Sequence, residues 1–236
     1  CMIYSPFLAQ GEQLGHWLVQ QQITLDEAAI RDLLEQRSED RALAQQLTRL
    51  SGMTLTQILL THGHPDHLGG LLDRQGAPVY PRAALWLHPL EAAFWRDDAR
   101  LRAANERVQR AISLARRTLE GYAPRLRLIT DEAVIAEGIR PVWLPGHTPG
   151  HTGFRLDSGG ESLLIWGDIV HFPSVQSARP TVSIAFDHDP AQAAATRQTV
   201  LAQAAREHLL VAGMHLGAPG FAYVRATADG YRLDYA

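Results

Sequence analysis

The chain has 236 residues, 46% apolar and 20% charged, which suits one large domain with a sizeable buried core. Its formal net charge of −3 gives no electrostatic case for nucleic acid or an anionic membrane surface, and no apolar run approaches the ~20 residues that span a bilayer. The single cysteine, Cys1, excludes an intrachain disulfide and a thiolate-rich zinc site.

In chain order, nothing at the N-terminus reads as a targeting segment, so a cytoplasmic or periplasmic location is expected. Cys1 as a first residue points to a segment missing before it. Over residues 25–50, Ile30, Leu33, Leu34, Leu43, Leu47 and Leu50 recur at helical spacing, and Gly52 ends that region. "TQILLT" (56–61) predicts a short buried strand. Residues 77–88 predict another, with Pro81 arguing for an edge or a bend. Residues 101–120 predict a helix whose narrow apolar stripe is Val108, Ile112, Ala115 and Leu119. The arginines at 102, 107, 110, 116 and 117 form its solvated face.

The second half turns to strands: 138–145, then a hairpin turning at Ser158-Gly159-Gly160, then "TVSIAFD" (181–187). Asp189-Pro190 reads as an N-cap with proline at the first helical position, opening an Ala-rich helix over 191–206. A buried strand over 208–215 and a hairpin with Asp229-Gly230 at its turn complete the chain. Repeats and domain linkers are absent. The expectation is a single α/β (or α+β) layered domain over 1–236, with an atypical region over 1–54 and the chemistry in 55–236.

That chemistry begins at "THGHPDHLGG". Side chains two apart on an extended segment point the same way, so His62 and His64 can grip one ion together. Pro65 then turns the chain, and Asp66 and His67 can face a second ion. Imidazole and carboxylate ligands suit Zn²⁺, Mn²⁺, Fe²⁺ or Co²⁺. A single HxH would read as an incidental polar loop, but three later segments complete this one. In "LPGHTPGH", His147 is the better ligand candidate, and His151 is expected to support the loop or pack as a structural histidine. In "LLIWGD", Asp168 brings a carboxylate to the end of an apolar strand, where a pair of cations would account for its burial, and a bridging role fits. In "LLVAGMH", His215 again ends an apolar strand.

Together these motifs resemble the metallo-β-lactamase superfamily of binuclear metallohydrolases, over residues 55–216. The resemblance implies an αββα sandwich with two divalent metal ions, Zn²⁺ before the alternatives, at one edge between the sheets. It implies His62, His64 and His147 on the first ion, Asp66, His67 and His215 on the second, and Asp168 on both. True β-lactamases of the superfamily lack the bridging aspartate. Glyoxalase II shares all seven ligands but carries a C-terminal helical region that a terminal hairpin does not match. Quorum-quenching lactonases have tyrosine three residues after the bridging aspartate, where this chain has His171. "WGDIVHFPSVQ", "SIAFDHDPAQAAATR" and "AGMHLGAPGFAYVRA" are similar to the methyl parathion hydrolase-like branch. The family's opening strands and Asp-x-Gly turn find no counterpart in residues 1–61, so the first sheet is expected to be shortened or incomplete.

The expected chemistry is hydrolysis. A water shared by two cations has its pKa lowered toward ~7 and can attack a carbonyl carbon or a phosphorus centre. Asp66 or Asp168 could steer its proton, and His171 could support the site, touch substrate or simply pack in its loop. Phe7, Trp86, Phe94, Trp95, Phe172 and Phe186 are candidate pocket residues, and Phe7 with Leu8 could reach over a site across a homodimer. No Lys or Arg falls in the ligand motifs, so a small neutral ester, lactone or triester is expected, with no nucleic-acid or membrane partner. The competing readings are a mononuclear iron persulfide dioxygenase, a di-iron flavoprotein partner, a glyoxalase II-like thioesterase and a non-catalytic metal-binding module.

Overall fold

The computed structural model describes residues 55–130, 135–217 and 220–236. The helix expected over 25–50 and the candidate Phe7 lie outside them, as does the question of the opening strands.

Two sheets face each other. The first is parallel, in the order β1 (Gln57–Leu59), β2 (Ala84–Leu87), β3 (Leu126–Leu128). The second has six strands in chain order: β4 (Ile139–Trp143), β5 (Thr152–Ser158), β6 (Glu161–Ile165), β7 (Leu210–Ala212), β8 (Phe221–Ala226) and β9 (Tyr231–Tyr235). Its pairs are antiparallel except β6 with β7, whose parallel crossover carries the long helix α6 (Pro190–Glu207). Of the other helices, α1 is Pro65–Leu68, α2 Pro89–Arg96, α3 Asp98–Ala103, α4 Glu106–Gly121 and α5 Pro173–Gln176.

Strand periodicity sorts the apolar residues into layers. Leu59, Phe154, Leu163, Ile165 and Ala212 point between the sheets, with Trp86 packed against them. Ile58, Leu60, Leu85 and Leu87 point outward onto Ile112, Ala115 and Leu119 of α4. Leu164, Val211, Ala222 and Val224 point the other way, onto Val200, Leu201 and Ala204 of α6. The result is the layered αββα arrangement. Among the described residues no helix is long and apolar enough to cross a membrane.

Several elements differ from the sequence pattern. The strand expected over 77–88 is only Ala84–Leu87: Val79 donates instead to the Leu71 carbonyl, beside an isolated bridge between Leu72 and Pro78, and Ala83 closes a turn on the Tyr80 carbonyl. The helix expected over 101–120 is two helices. Asp97 caps α3 and Asn105 caps α4, each by accepting backbone N–H groups, and these caps outcompete a continuous helix. Four of the five arginines of that stretch are exposed; Arg116 instead binds Asp98 and the Trp95 carbonyl. Residues 181–187 form no strand. Asp187 turns inward, its carboxylate accepting from the Ile184 N–H, and the chain coils around it. The strand expected over 208–215 stops at Ala212, and the Gly159-Gly160 hairpin and the Asp189 cap of α6 form where the sequence places them.

Candidate metal centre

The site lies where strand ends of both sheets meet, and Thr152 N–H donates across the gap to the Thr61 carbonyl at 2.9 Å. β1 delivers His62. His64 is the extended N-cap of α1, with Pro65 at the first helical position, so Asp66 and His67 follow within one turn. The Thr61 hydroxyl lies 3.2 Å from His62 Nδ1 and 3.4 Å from His67 Nδ1, which turns both Nε2 atoms toward the same space. β6 ends at Ile165, three residues before Asp168, and parallel β7 ends at Ala212, three residues before His215. Parallel strands end on the same side, so Asp168 and His215 arrive together.

His147 comes from the loop between β4 and β5. Gly146 there has φ 128°, and a Cβ at that position would collide with the Ala193 backbone at the start of α6. The loop is fixed to that helix by Asp189 N–H donating to the Gly146 carbonyl and the Thr196 hydroxyl donating to the Pro145 carbonyl. His147 Nδ1 donates to Asp187 Oδ1 at 2.9 Å, so Nε2 faces the site with its lone pair.

Two groups of ligand atoms result, each gathered within 4.8 Å: His62, His64, His147 and Asp168, and Asp66, His67, Asp168 and His215. His64 Nδ1 lies 2.9 Å from both His62 Nε2 and His147 Nε2. One ring nitrogen carries a single hydrogen or a single lone pair, so three converging nitrogens cannot all be satisfied by hydrogen bonds. Asp168 Oδ1 and His67 Nε2, 3.2 Å apart, are buried with no hydrogen-bond partner among the described residues. Asp168 Oδ2 is 3.4–3.5 Å from Nε2 of His62, His147 and His215. Convergent nitrogens around an acceptor-only carboxylate fit cations at both groups. The two differ in access: His62 and His147 are buried, whereas Asp66 is 51% and His215 28% exposed, so the second group has an open side.

Electrostatics follow from this packing. Burial alone would raise the Asp168 carboxyl, but the His67 and His62 rings outweigh it and hold it well below the usual carboxylate range. Burial, reinforced by His147, pushes His64 down to about 3, so its ring is neutral at physiological pH. His67 runs the other way. Burial would lower it, yet the adjacent Asp168 and Asp66 carboxylates raise it to about 9 in the metal-free chain.

His151 is outside both groups. Its Nδ1 donates to the Leu144 carbonyl and its Nε2 accepts from the Asp168 N–H, each at about the ordinary hydrogen-bond length (2.9 and 3.0 Å), so it is a neutral brace for the aspartate. His171 Nε2 lies 3.0 Å from Asp168 Oδ2, and its ring stacks on His215 with centroids 4.4 Å apart. Phe172 beside it is 60% exposed. Trp95 is buried, its ring edge against His64 and its indole N–H bound to Glu91, which makes it a wall of the histidine cluster. Trp86 sits in the inter-sheet core and donates to Gln57. Phe94 packs on His188, and Phe186 is exposed under Arg107.

Four residues at the site are not singled out by the sequence, although Gln176, Asp187 and Arg197 lie within the stretches similar to the methyl parathion hydrolase-like branch. Asp187 orients His147. Arg197 lies 3.5 Å from Asp187 and donates to the Ile169, Pro180 and Val182 carbonyls. Gln176 accepts from the His171 and Phe172 N–H groups. Glu91 is wholly buried behind the histidines. Each belongs to a segment that reads locally as strand, helix or turn. Only a polar residue in an otherwise apolar frame, such as Asp187 closing "SIAF", could have flagged one.

The family model described as the metallo-beta-lactamase superfamily matches residues 28–215. A hydroxyacylglutathione hydrolase from Cereibacter sphaeroides is 32% identical over 151 residues, covering 60% of this chain and 45% of that protein. The chain thus matches less than half the length of that curated relative. Among solved structures, AidC, a dizinc quorum-quenching lactonase, superposes with a TM-score of 0.75 at 28% identity, over 82% of this chain and 69% of AidC. The hydrolase AbOPH of the beta-lactamase superfamily does so at 0.70 and 30% identity, over 80% and 68%.

Proposed function

Because this chain belongs to the metallo-beta-lactamase superfamily, we propose that it is a binuclear metal-dependent hydrolase of small neutral esters, lactones or phosphotriesters. The observation that carries the reading is Asp168, a single carboxylate common to two complete ligand groups. Two bound divalent ions, Zn²⁺ first among them, would supply an activated water and polarise a carbonyl or phosphoryl oxygen. His62, His64 and His147 would hold one ion, Asp66, His67 and His215 the other, with Asp168 shared. A mononuclear iron site would leave one group without purpose, so the hydrolase is preferred to the dioxygenase.

The chain's own residues have distinct tasks. Asp66, half exposed at the open side, accepts and releases the nucleophile's proton, and Asp168 fixes where that nucleophile stands. His171, at the edge of the open side, donates its Nε2–H to Asp168 Oδ2 and so holds that carboxylate in place. The lactonase and hydrolase neighbours support a lactone or ester as the first substrate to try, and the stretch around His171 supports the methyl parathion hydrolase-like branch. Metal analysis of the purified chain, beside turnover of aryl esters, lactones and phosphotriesters, tests the proposal. Two ions per chain with hydrolysis of one class is expected; one iron and no hydrolysis would sink it.

His171→Phe keeps a ring against His215 but removes the nitrogen next to Asp168. It is expected to lower kcat by about 10- to 100-fold with metal content retained. Loss of an ion from this variant would make His171 a ligand instead.

Metal uptake should also be linked to pH. With His67 raised to about 9 by Asp168, its ring carries a proton at pH 7, and a ligating ring must be neutral. Loading at pH 7 therefore expels about one proton from this ring, and affinity climbs with pH until about 9. Calorimetry in buffers of different protonation enthalpy measures the proton count. A count of zero at pH 7 would refute the assignment of His67.

A further inference from the structure

The strongest unexplained group is Glu91. It is the third residue of α2, after the N-cap His88, where a glutamate ordinarily reaches back to cap its own helix from the surface. Here the side chain is fully buried and turned the other way. Oε1 accepts from the Gly63 N–H at 2.9 Å and the Trp95 indole N–H at 2.6 Å. Oε2 accepts from the Thr148 hydroxyl at 2.6 Å and the Gly150 N–H at 3.1 Å. Three of these four partners can only donate, so both oxygens must be acceptors, and no capacity is left for a metal.

The partners are not scattered. Gly63 lies between His62 and His64, and Thr148 follows His147 directly. One carboxylate thus grips both loops whose ring nitrogens converge at 2.9 Å, although they lie 83 residues apart in sequence. The packing is tight on both sides: a Cβ on Gly63 would collide with the Trp95 indole, and one on Gly150 with the Glu91 backbone. Burying a carboxylate is costly unless its acceptor positions are filled, and here they are filled by the two ligand-bearing loops.

We propose that Glu91 is the positioning residue of the first ligand group, holding the His62–His64 segment and the His147 loop at ligating separation before any ion arrives. The inference rests on the reading that these residues hold an ion, but not on what the ion does. The second group draws nothing directly from Glu91, so the effect should be confined to one ion.

Glu91→Gln keeps the side chain's shape but offers one acceptor oxygen and sets an NH₂ group against two donors. Zn²⁺ affinity is read by chelator competition in two backgrounds: His67→Ala, which leaves the first group intact, and His64→Ala, which leaves the second. Glu91→Gln is expected to weaken Zn²⁺ about 10- to 100-fold in the first background and to leave it within about twofold in the second. Equal losses in both, or no loss in either, would overturn the proposal. Melting of the metal-free variants shows whether they fold. If Glu91→Gln does not, Thr148→Val, which removes one of the four donors, is expected to give a smaller loss in the His67→Ala background alone. A wild-type chain that binds Zn²⁺ at both groups and hydrolyses nothing would refute the proposed function while leaving this role standing.

Discussion

Asp168→Ala is expected to lose metal and hydrolysis together. Its Oδ2 lies within 3.5 Å of ring nitrogens from His62, His147 and His215, and its Oδ1 faces His67, so one truncation takes a ligand from both groups. Each group keeps three side chains, yet the one carboxylate common to both is gone. The His67 ring also loses the carboxylate that faces its buried nitrogen. Metal analysis should find at most one ion per chain, and turnover should fall by about 10³-fold or more, the scale on which a preorganised electrostatic group acts. Asp168→Asn is the gentler companion. It keeps the shape and the His151 bond to its backbone N–H, so a loss there isolates the charge. A fully metallated, active Asp168→Ala chain would rule out the shared role.

Arg197→Met should instead act on stability. The guanidinium is buried on α6, donates to three backbone carbonyls and lies 3.5 Å from Asp187, which is buried as well. Removing one partner of a buried pair leaves the other charge uncompensated, at a cost of ~3–5 kcal/mol. For a chain of this size that lowers Tm by roughly 10 °C. The damage should reach the site. Asp187 accepts from His147 Nδ1, so a displaced Asp187 frees the ring that it orients, and metal affinity should fall by about tenfold. Scanning calorimetry of the metal-free chain measures the first effect and chelator competition the second. A melting point within about 2 °C of wild type would show that the pair is not the strut described here.

Comparing the expected elements with the fold shows where local pattern suffices. α6 and both hairpins form where the sequence places them, because an Asp-Pro cap, a Gly-Gly turn and alternating strands are settled by neighbours a few residues away. The stretch 181–187 went otherwise. Its alternation of apolar and polar residues fits a strand, but a buried Asp187 shared by His147 and Arg197 outweighs β propensity. The helix expected through 104 and 105 likewise yields to the Asn105 cap.

The seven candidate ligands were legible because metal chemistry restricts them to a few residue types, at fixed spacings, at the ends of apolar strands. The sequence alone therefore determined the layered class and the family, and it named the candidates that the structure gathers into two groups. Only the tertiary structure decided which residues brace them. Glu91, Asp187 and Arg197 act through contacts that reach up to 59 residues along the chain, and no local period records such pairings; for His151, read from the sequence as a loop support, the structure supplied the partner, the Asp168 N–H. A ligand must present particular atoms to an ion, which confines its identity; a brace must only fill a position that the fold creates, and that position exists only once the sheets have closed.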